Sequence, residues 1–155
     1  MNARYFLAAI AALSTFAHAA DTSQFDPTVA ERLATAHKAL AAKDFSLAMK
    51  ELNAAVREEP RNAEVHNLIG YTFRVRANPD LPKSFEHYNL ALKYNPNHKG
   101  THEYIGEAYL MDKKPEEAEK HLASLESICG NKTCPEYVEL ANAITAYKSK
   151  VAVNK

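Results

Sequence analysis

The same block of sequence occurs three times in this 155-residue chain, and a repeated block dictates fold class before any single residue does. The second copy reads His66-x2-Ile69-Gly70-x2-Phe73, then Ser84-x3-Tyr88-x2-Ala91, then Pro96. The third reads His102-x2-Ile105-Gly106-x2-Tyr109, then Ala118-x3-Leu122-x2-Leu125, then Gly130. The first is degenerate: Arg32-x2-Thr35-Ala36-x2-Ala39, Ala48-x3-Leu52-x2-Ala55 and Pro60 keep the second half but lose the aromatic of the first. Each copy is one helix pair that cannot bury its own apolar face, so the copies must stack. Gly70 and Gly106 each cost a helix about 1 kcal/mol relative to Ala, and close approach of a neighbouring helix is what compensates.

Ala36 to Gly70 is 34 residues and Gly70 to Gly106 is 36, whereas Ala48 to Ser84 is 36 and Ser84 to Ala118 is 34. Two extra residues therefore sit between the helices of the second copy, in Arg76-Ala77-Asn78-Pro79-Asp80-Leu81-Pro82. Asn-Pro favours a turn, Asp80 suits an N-cap, and Pro82 is tolerated in a first helical turn. Such a turn protrudes at one rim, where it either meets a partner or is a harmless surface insertion.

The pattern resembles the tetratricopeptide repeat over residues 29–132. The resemblance implies an all-α fold: a right-handed α-solenoid of three helix pairs (29–62, 63–98 and 99–132) closed by a capping helix at 133–150. Where the family carries tryptophan this chain has Arg32, His66 and His102, which makes that corner more polar.

Ahead of the repeats, Met1 to Arg4 carries one positive charge, Tyr5 to Phe16 is mostly apolar, and Ala17-His18-Ala19 is a small-x-small cleavage site. Residues 1–19 read as a secretory signal peptide, with 20–28 a short N-terminal extension. The expectation is export to a bacterial periplasm, with secretion as second choice, and no membrane insertion after cleavage. Cleavage removes Arg4 and no acidic residue, so the mature chain carries one net negative charge, with both signs interspersed. That balance points away from nucleic acid, whose readers show a basic face.

Cys129 and Cys134 fall in the link before the final helix. In an exported protein they read as a disulfide rather than a redox pair, which would use two intervening residues, or a metal site, which needs more soft ligands. Gly130 suits a left-handed helix end, and Thr133-x-x-Glu136 reads as a capping box for the next helix. Tyr137, Leu140, Ala141, Ile144 and Tyr147 then line one face of that helix, which closes the array. Cys-x4-Cys followed by this helix also resembles a group of small exported bacterial tetratricopeptide proteins.

No nucleophile elbow, phosphate-cradling loop or His-Glu-x-x-His arrangement is present, and the expectation is a protein that is not an enzyme and needs no cofactor. His98 and His102, four apart, read as a helix-start residue and a packing residue rather than two metal ligands. His37, His66, His87 and His121 read as scattered over different helices.

In the resembled family the first helix of each pair lines a concave groove that holds partners. By register this implies a protein-binding wall of Leu33, His37 and Leu40, then Asn67, Tyr71 and Arg74, then Glu103, Glu107 and Leu110. Tyr71 and Arg74 are types enriched in binding hot spots, and Asn67 could pair with a peptide backbone. Glu103 and Glu107 either disfavour an acidic peptide, leaving an apolar or mildly basic one, or are ordinary solvated residues. The leading expectation is a non-catalytic scaffold or adaptor for a protein or peptide partner. The alternatives are an obligate structural subunit of an envelope complex, or a metal-binding or redox protein.

Overall fold

The computed structural model describes residues 26–153, and among them every regular element is an α-helix. The expected signal peptide, residues 1–19, lies outside the described residues. The helices are α1 (Val29–Ala41), α2 (Phe45–Glu58), α3 (Ala63–Val75), α4 (Leu81–Tyr94), α5 (Lys99–Met111), α6 (Pro115–Cys129) and α7 (Pro135–Val153).

Local chemistry sets the helix starts. Thr28 and Glu31 form a capping box at α1, while Asp44, Asn62, Asp80 and His98 each accept a backbone N–H in the first turn of α2, α3, α4 and α5. Such a cap satisfies a donor that the helix leaves orphaned, for about 1 kcal/mol. Pro82 and Pro115 occupy first turns, where a missing N–H costs nothing.

Within the first and third pairs the turns are three residues long and each forces a lysine into the left-handed region, Lys43 at φ 58° and Lys113 at φ 60°. In the second pair the turn runs from Arg76 to Asp80, two residues longer, and no left-handed residue is needed. Its polar groups are satisfied internally. Arg76 Nε donates to the Asn78 carbonyl at 2.8 Å and its Nη2 reaches Asp80 at 3.3 Å, while Asp80 N–H returns to the Phe73 carbonyl.

The helices pack in sequence-neighbour pairs, α1 with α2, α3 with α4 and α5 with α6, and each pair stacks on the next. Three apolar clusters mark the joints: one around Ala36, Leu52, Leu68 and Ile69, one around Tyr88, Ile105 and Ala108, and one around Ala118, Leu125, Leu140 and Ile144. The result is an all-α solenoid of three helix pairs closed by a seventh helix, since α7 packs on both α5 and α6. Two of the three helical glycines, Gly70 and Gly106, mark close approaches. A Cβ on Gly70 would lie 2.7 Å from the Tyr88 ring, and one on Gly106 would lie 2.7 Å from the Leu140 methyls.

Cys129 and Cys134 are bridged, with Cα atoms 6.3 Å apart, across a turn whose Gly130 adopts φ 68°. The expected Thr133–Glu136 capping box does not form. The Asn131 side chain captures both the N–H and the hydroxyl of Thr133 at 2.9 Å, so α7 starts at Pro135, one residue later than a Thr133 cap would place it, and the Cys134 carbonyl receives Val138 N–H. An Asx turn closed within the bridged loop competes successfully with the cap.

Candidate functional site

The face built by α1, α3, α5 and the start of α7 carries a cavity of about 470 Å³. Of the expected wall residues, His37, Leu40, Asn67 and Tyr71 line it; Glu64, His98, Tyr104 and Glu136 line it too and were not expected. A second cavity of about 480 Å³ shares Leu40, Ala41 and Tyr71 with the first and continues over Phe45 and Val75. Leu33, Arg74, Glu103, Glu107 and Leu110 line neither cavity. Leu33 packs into the first apolar cluster, and Leu110 is buried in the last, beneath α7, so neither presents a side chain to a ligand.

Two residues assigned to the wall by register are occupied within the protein. Asn67 is 3% exposed; its amide donates to Glu64 at 3.2 Å and its oxygen accepts from Thr101 Oγ1 at 3.1 Å, tying α3 to α5. Arg74 is 9% exposed and meets Glu107 at 2.5 Å, with Nε donating to the Tyr88 hydroxyl at 3.3 Å. Its guanidinium also lies over the Tyr71 and Tyr104 rings, 5.4 and 5.5 Å from their centroids. Burial works against the charge of Arg74, but Tyr88 and Glu107 hold its pKa above the usual arginine value. The Asn67–Thr101 and Arg74–Glu107 contacts join consecutive repeats and Arg74–Tyr88 joins the two helices of one; Asn67 still borders the cavity, with its polar atoms already paired.

Glu64 is the hub of the cavity. One carboxylate oxygen meets His37 Nε2 at 3.2 Å and the other meets His98 Nε2 at 3.1 Å, so one acid gathers side chains from three successive repeats. Burial alone would raise its pKa, but the bonds from His98 and Asn67 hold it below the ordinary carboxylate value. The tautomer of His98 follows from its cap: Nδ1 accepts Thr101 N–H at 3.2 Å, which leaves the ring proton on Nε2, facing Glu64.

Glu103 lies at the edge of this face among acids. Burial, then Glu107, Glu136 and Glu139, push its carboxyl up to about 7. Tyr104 is pushed up to about 12 by burial and by Glu103. One oxygen of Glu136 is buried without a hydrogen-bond partner. Glu136 also approaches both Cys129 and Cys134, but a disulfide offers no thiolate, so this trio is not a metal centre in the bridged protein.

The remaining histidines are paired rather than scattered. His66 and His87 approach Nδ1 to Nδ1 at 3.1 Å, and His102 and His121 do so at 2.9 Å. In both pairs the buried ring also reaches a proline carbonyl through Nε2, that of Pro60 at 3.0 Å and Pro96 at 2.9 Å. A carbonyl only accepts, so His66 and His102 carry their proton on Nε2, and the partner ring donates from Nδ1. In the first repeat the equivalent pair is Arg32 and Glu51, an ion pair at 3.1 Å. All three pairs bridge the two helices of their repeat at the corner expected to be polar. His87, His102 and His121 are all lowered, burial first, and His121 falls to about 4.

No protein-family model matches this chain, and no curated protein does. What the face can do is therefore argued from its own chemistry. It offers two adjoining cavities, one polar and one apolar, with an aromatic ring on the ridge between them. No nucleophile beside a base and no open set of metal ligands lines either of them.

Proposed function

We propose that the protein is a non-catalytic interaction module of tetratricopeptide type, exported to the bacterial periplasm, that holds a peptide segment of a partner protein along the α1, α3 and α5 face. The observation that carries this reading is the pair of cavities meeting at Leu40, Ala41 and Tyr71. Adjoining recesses on a row of stacked helices suit an extended chain, whose successive same-side side chains are spaced about 7 Å apart. Each recess falls within the range of about 300–1,000 Å³ usual for ligand sites. Export rests on the sequence of residues 1–19, and the disulfide is the chemistry such a compartment favours.

In-cell photo-crosslinking from position 77, on the lining of the second cavity, followed by mass spectrometry, tests the groove directly. Tyr71→Ala and Leu40→Ala should both reduce capture of the crosslinked partner, because both residues border both cavities. Capture unchanged by both would refute the groove reading. Arg74→Glu is the wrong probe, since it would break the buried contacts to Glu107 and Tyr88 and unsettle the fold.

A further inference from the structure

We propose that the cavity between α1, α3, α5 and the start of α7 receives a lysine or arginine side chain of the bound segment, while an apolar neighbour enters the adjoining cavity over Phe45 and Val75. The proposal rests on the groove reading above and adds the chemistry that would choose the segment.

Charge is the first argument. Glu64 and Glu136 line the cavity, Glu103 stands beside them, and Glu107 and Glu139 add to the same negative field. The nearest buried cation, Arg74, is committed to Glu107, and the one lysine on the lining, Lys99, is exposed at the rim. The lining therefore carries two acids against one exposed lysine, so an entering cation is favoured and an acidic segment meets like charge. The second argument is the placing of Glu136. It lines the cavity and is close enough to Glu103 to raise that carboxyl, so a cation entering here meets the field of both.

Aromatic rings are the third. Tyr71 and Tyr104 lie 4.9 Å apart, both line the cavity, and one side of the pair already holds the Arg74 guanidinium. The cavity side of the same rings offers the same attraction to a second cation. A metal ion is the poorer occupant, because capping fixes the proton of His98 on Nε2, the atom that would have to ligate. A free amine would ignore the apolar second cavity, which begins on the far side of Tyr71.

The test uses the mature full-length protein and two uncharged-end probes, N-acetyl-arginine amide and its neutral isostere N-acetyl-citrulline amide, titrated while backbone amide resonances are followed. The arginine probe should shift Gly100 and Tyr104 and saturate, and the citrulline probe should not. Glu136→Gln, isosteric and so expected to fold, should weaken the arginine probe about tenfold, and Lys99→Gln should tighten it. Equal response to both probes, or response to neither, overturns the proposal. Selection of displayed random peptides on the immobilised protein separates the two levels of the claim. Recovered sequences pairing a basic with an apolar residue support it; recovered sequences without basic residues overturn the cation site and leave the groove standing. A saturable arginine response with no peptide recovered overturns the groove instead.

Discussion

Two half-buried groups on α5 and α6 titrate in opposite senses over the same pH range, and this makes the acid response of the protein a sharp test of its structure. Glu103 rises from 4.5 to about 7 on folding, because burial and three neighbouring glutamates disfavour its charge. Between those values the folded state holds a proton that the unfolded chain has released, so its contribution to stability is lost as pH rises. His121 falls from 6.5 to about 4, because burial and the adjoining His102 disfavour its charge, with Glu117 opposing and Lys120 assisting. There the unfolded chain holds the extra proton, so the contribution of His121 is lost as pH falls. The windows overlap from 4.5 to 6.5, and within them the two slopes have opposite sign.

Each slope has an upper limit of about 1.4 kcal/mol per pH unit. Neither residue is fully buried, and allowing for solvent screening brings the change across the overlap to roughly 1–2 kcal/mol for each. The wild type should therefore show only a shallow slope across the window, tilted toward greater stability at high pH by His87 and His102. Glu103→Gln should steepen that slope, and His121→Phe should flatten or invert it, when urea denaturation is followed by circular dichroism at both ends of the window. Three parallel profiles would refute the assignment of both groups. A Glu103→Gln profile flatter than wild type would refute the acidic surroundings given to that residue.

The close helix approaches are open to simple substitution: Gly70→Ala should destabilise by about 2 kcal/mol, since the added Cβ meets the buried Tyr88 ring at 2.7 Å, as measured by urea midpoint. Gly106→Ala should cost about 1 kcal/mol because the flexible Leu140 methyls can give way, while Gly100→Ala, with 3.5 Å of clearance to Asn67, should be neutral or stabilising in the same assay. Lys113→Gly should raise stability by about 0.5 kcal/mol by relieving a left-handed lysine, net of glycine's greater unfolded entropy; thermal melts would show it. Reduction of Cys129–Cys134 should lower the melting temperature, with about 2 kcal/mol lost from so short a loop, and should raise hydrogen exchange first in α7.

The repeat made the architecture legible because stacking is nearly a one-dimensional rule: once Gly70 and Gly106 mark the tight approaches, each helix has a small number of places to go. The two-residue insertion was legible for the same reason, as was the N-cap at Asp80. The capping box at Thr133 misled because the motif was read alone; Asn131, two residues earlier in a bridged loop, offered Thr133 a nearer partner. Of the wall assigned by register, His37, Leu40, Asn67 and Tyr71 border a cavity and the other five residues do not. Whether a polar side chain points out to a ligand or across to the next repeat depends on the rotation between repeats, which a periodicity does not contain. Buried polar groups seek partners, and here the next repeat supplied Thr101 and Glu107.

The polar ladder at the repeat corner shows where the missing signal lay. Arg32 to Glu51 is 19 residues, His66 to His87 is 21 and His102 to His121 is 19, so the partner follows the two-residue insertion as faithfully as the apolar positions do. The partner of a repeat position is another repeat position, so the spacing that joins these rings is the distance between the two helices of one copy rather than one turn of a single helix. An ion pair in the first copy and a neutral imidazole pair in the other two fill the same site, so what is held constant is a cross-helix hydrogen bond rather than a charge. That distinction has a consequence for acid: a ring that accepts through one nitrogen must keep it unprotonated, and burial holds His87, His102 and His121 below the usual histidine value. Repeats two and three, which carry these imidazole pairs, are therefore the part of the array that acid should loosen first.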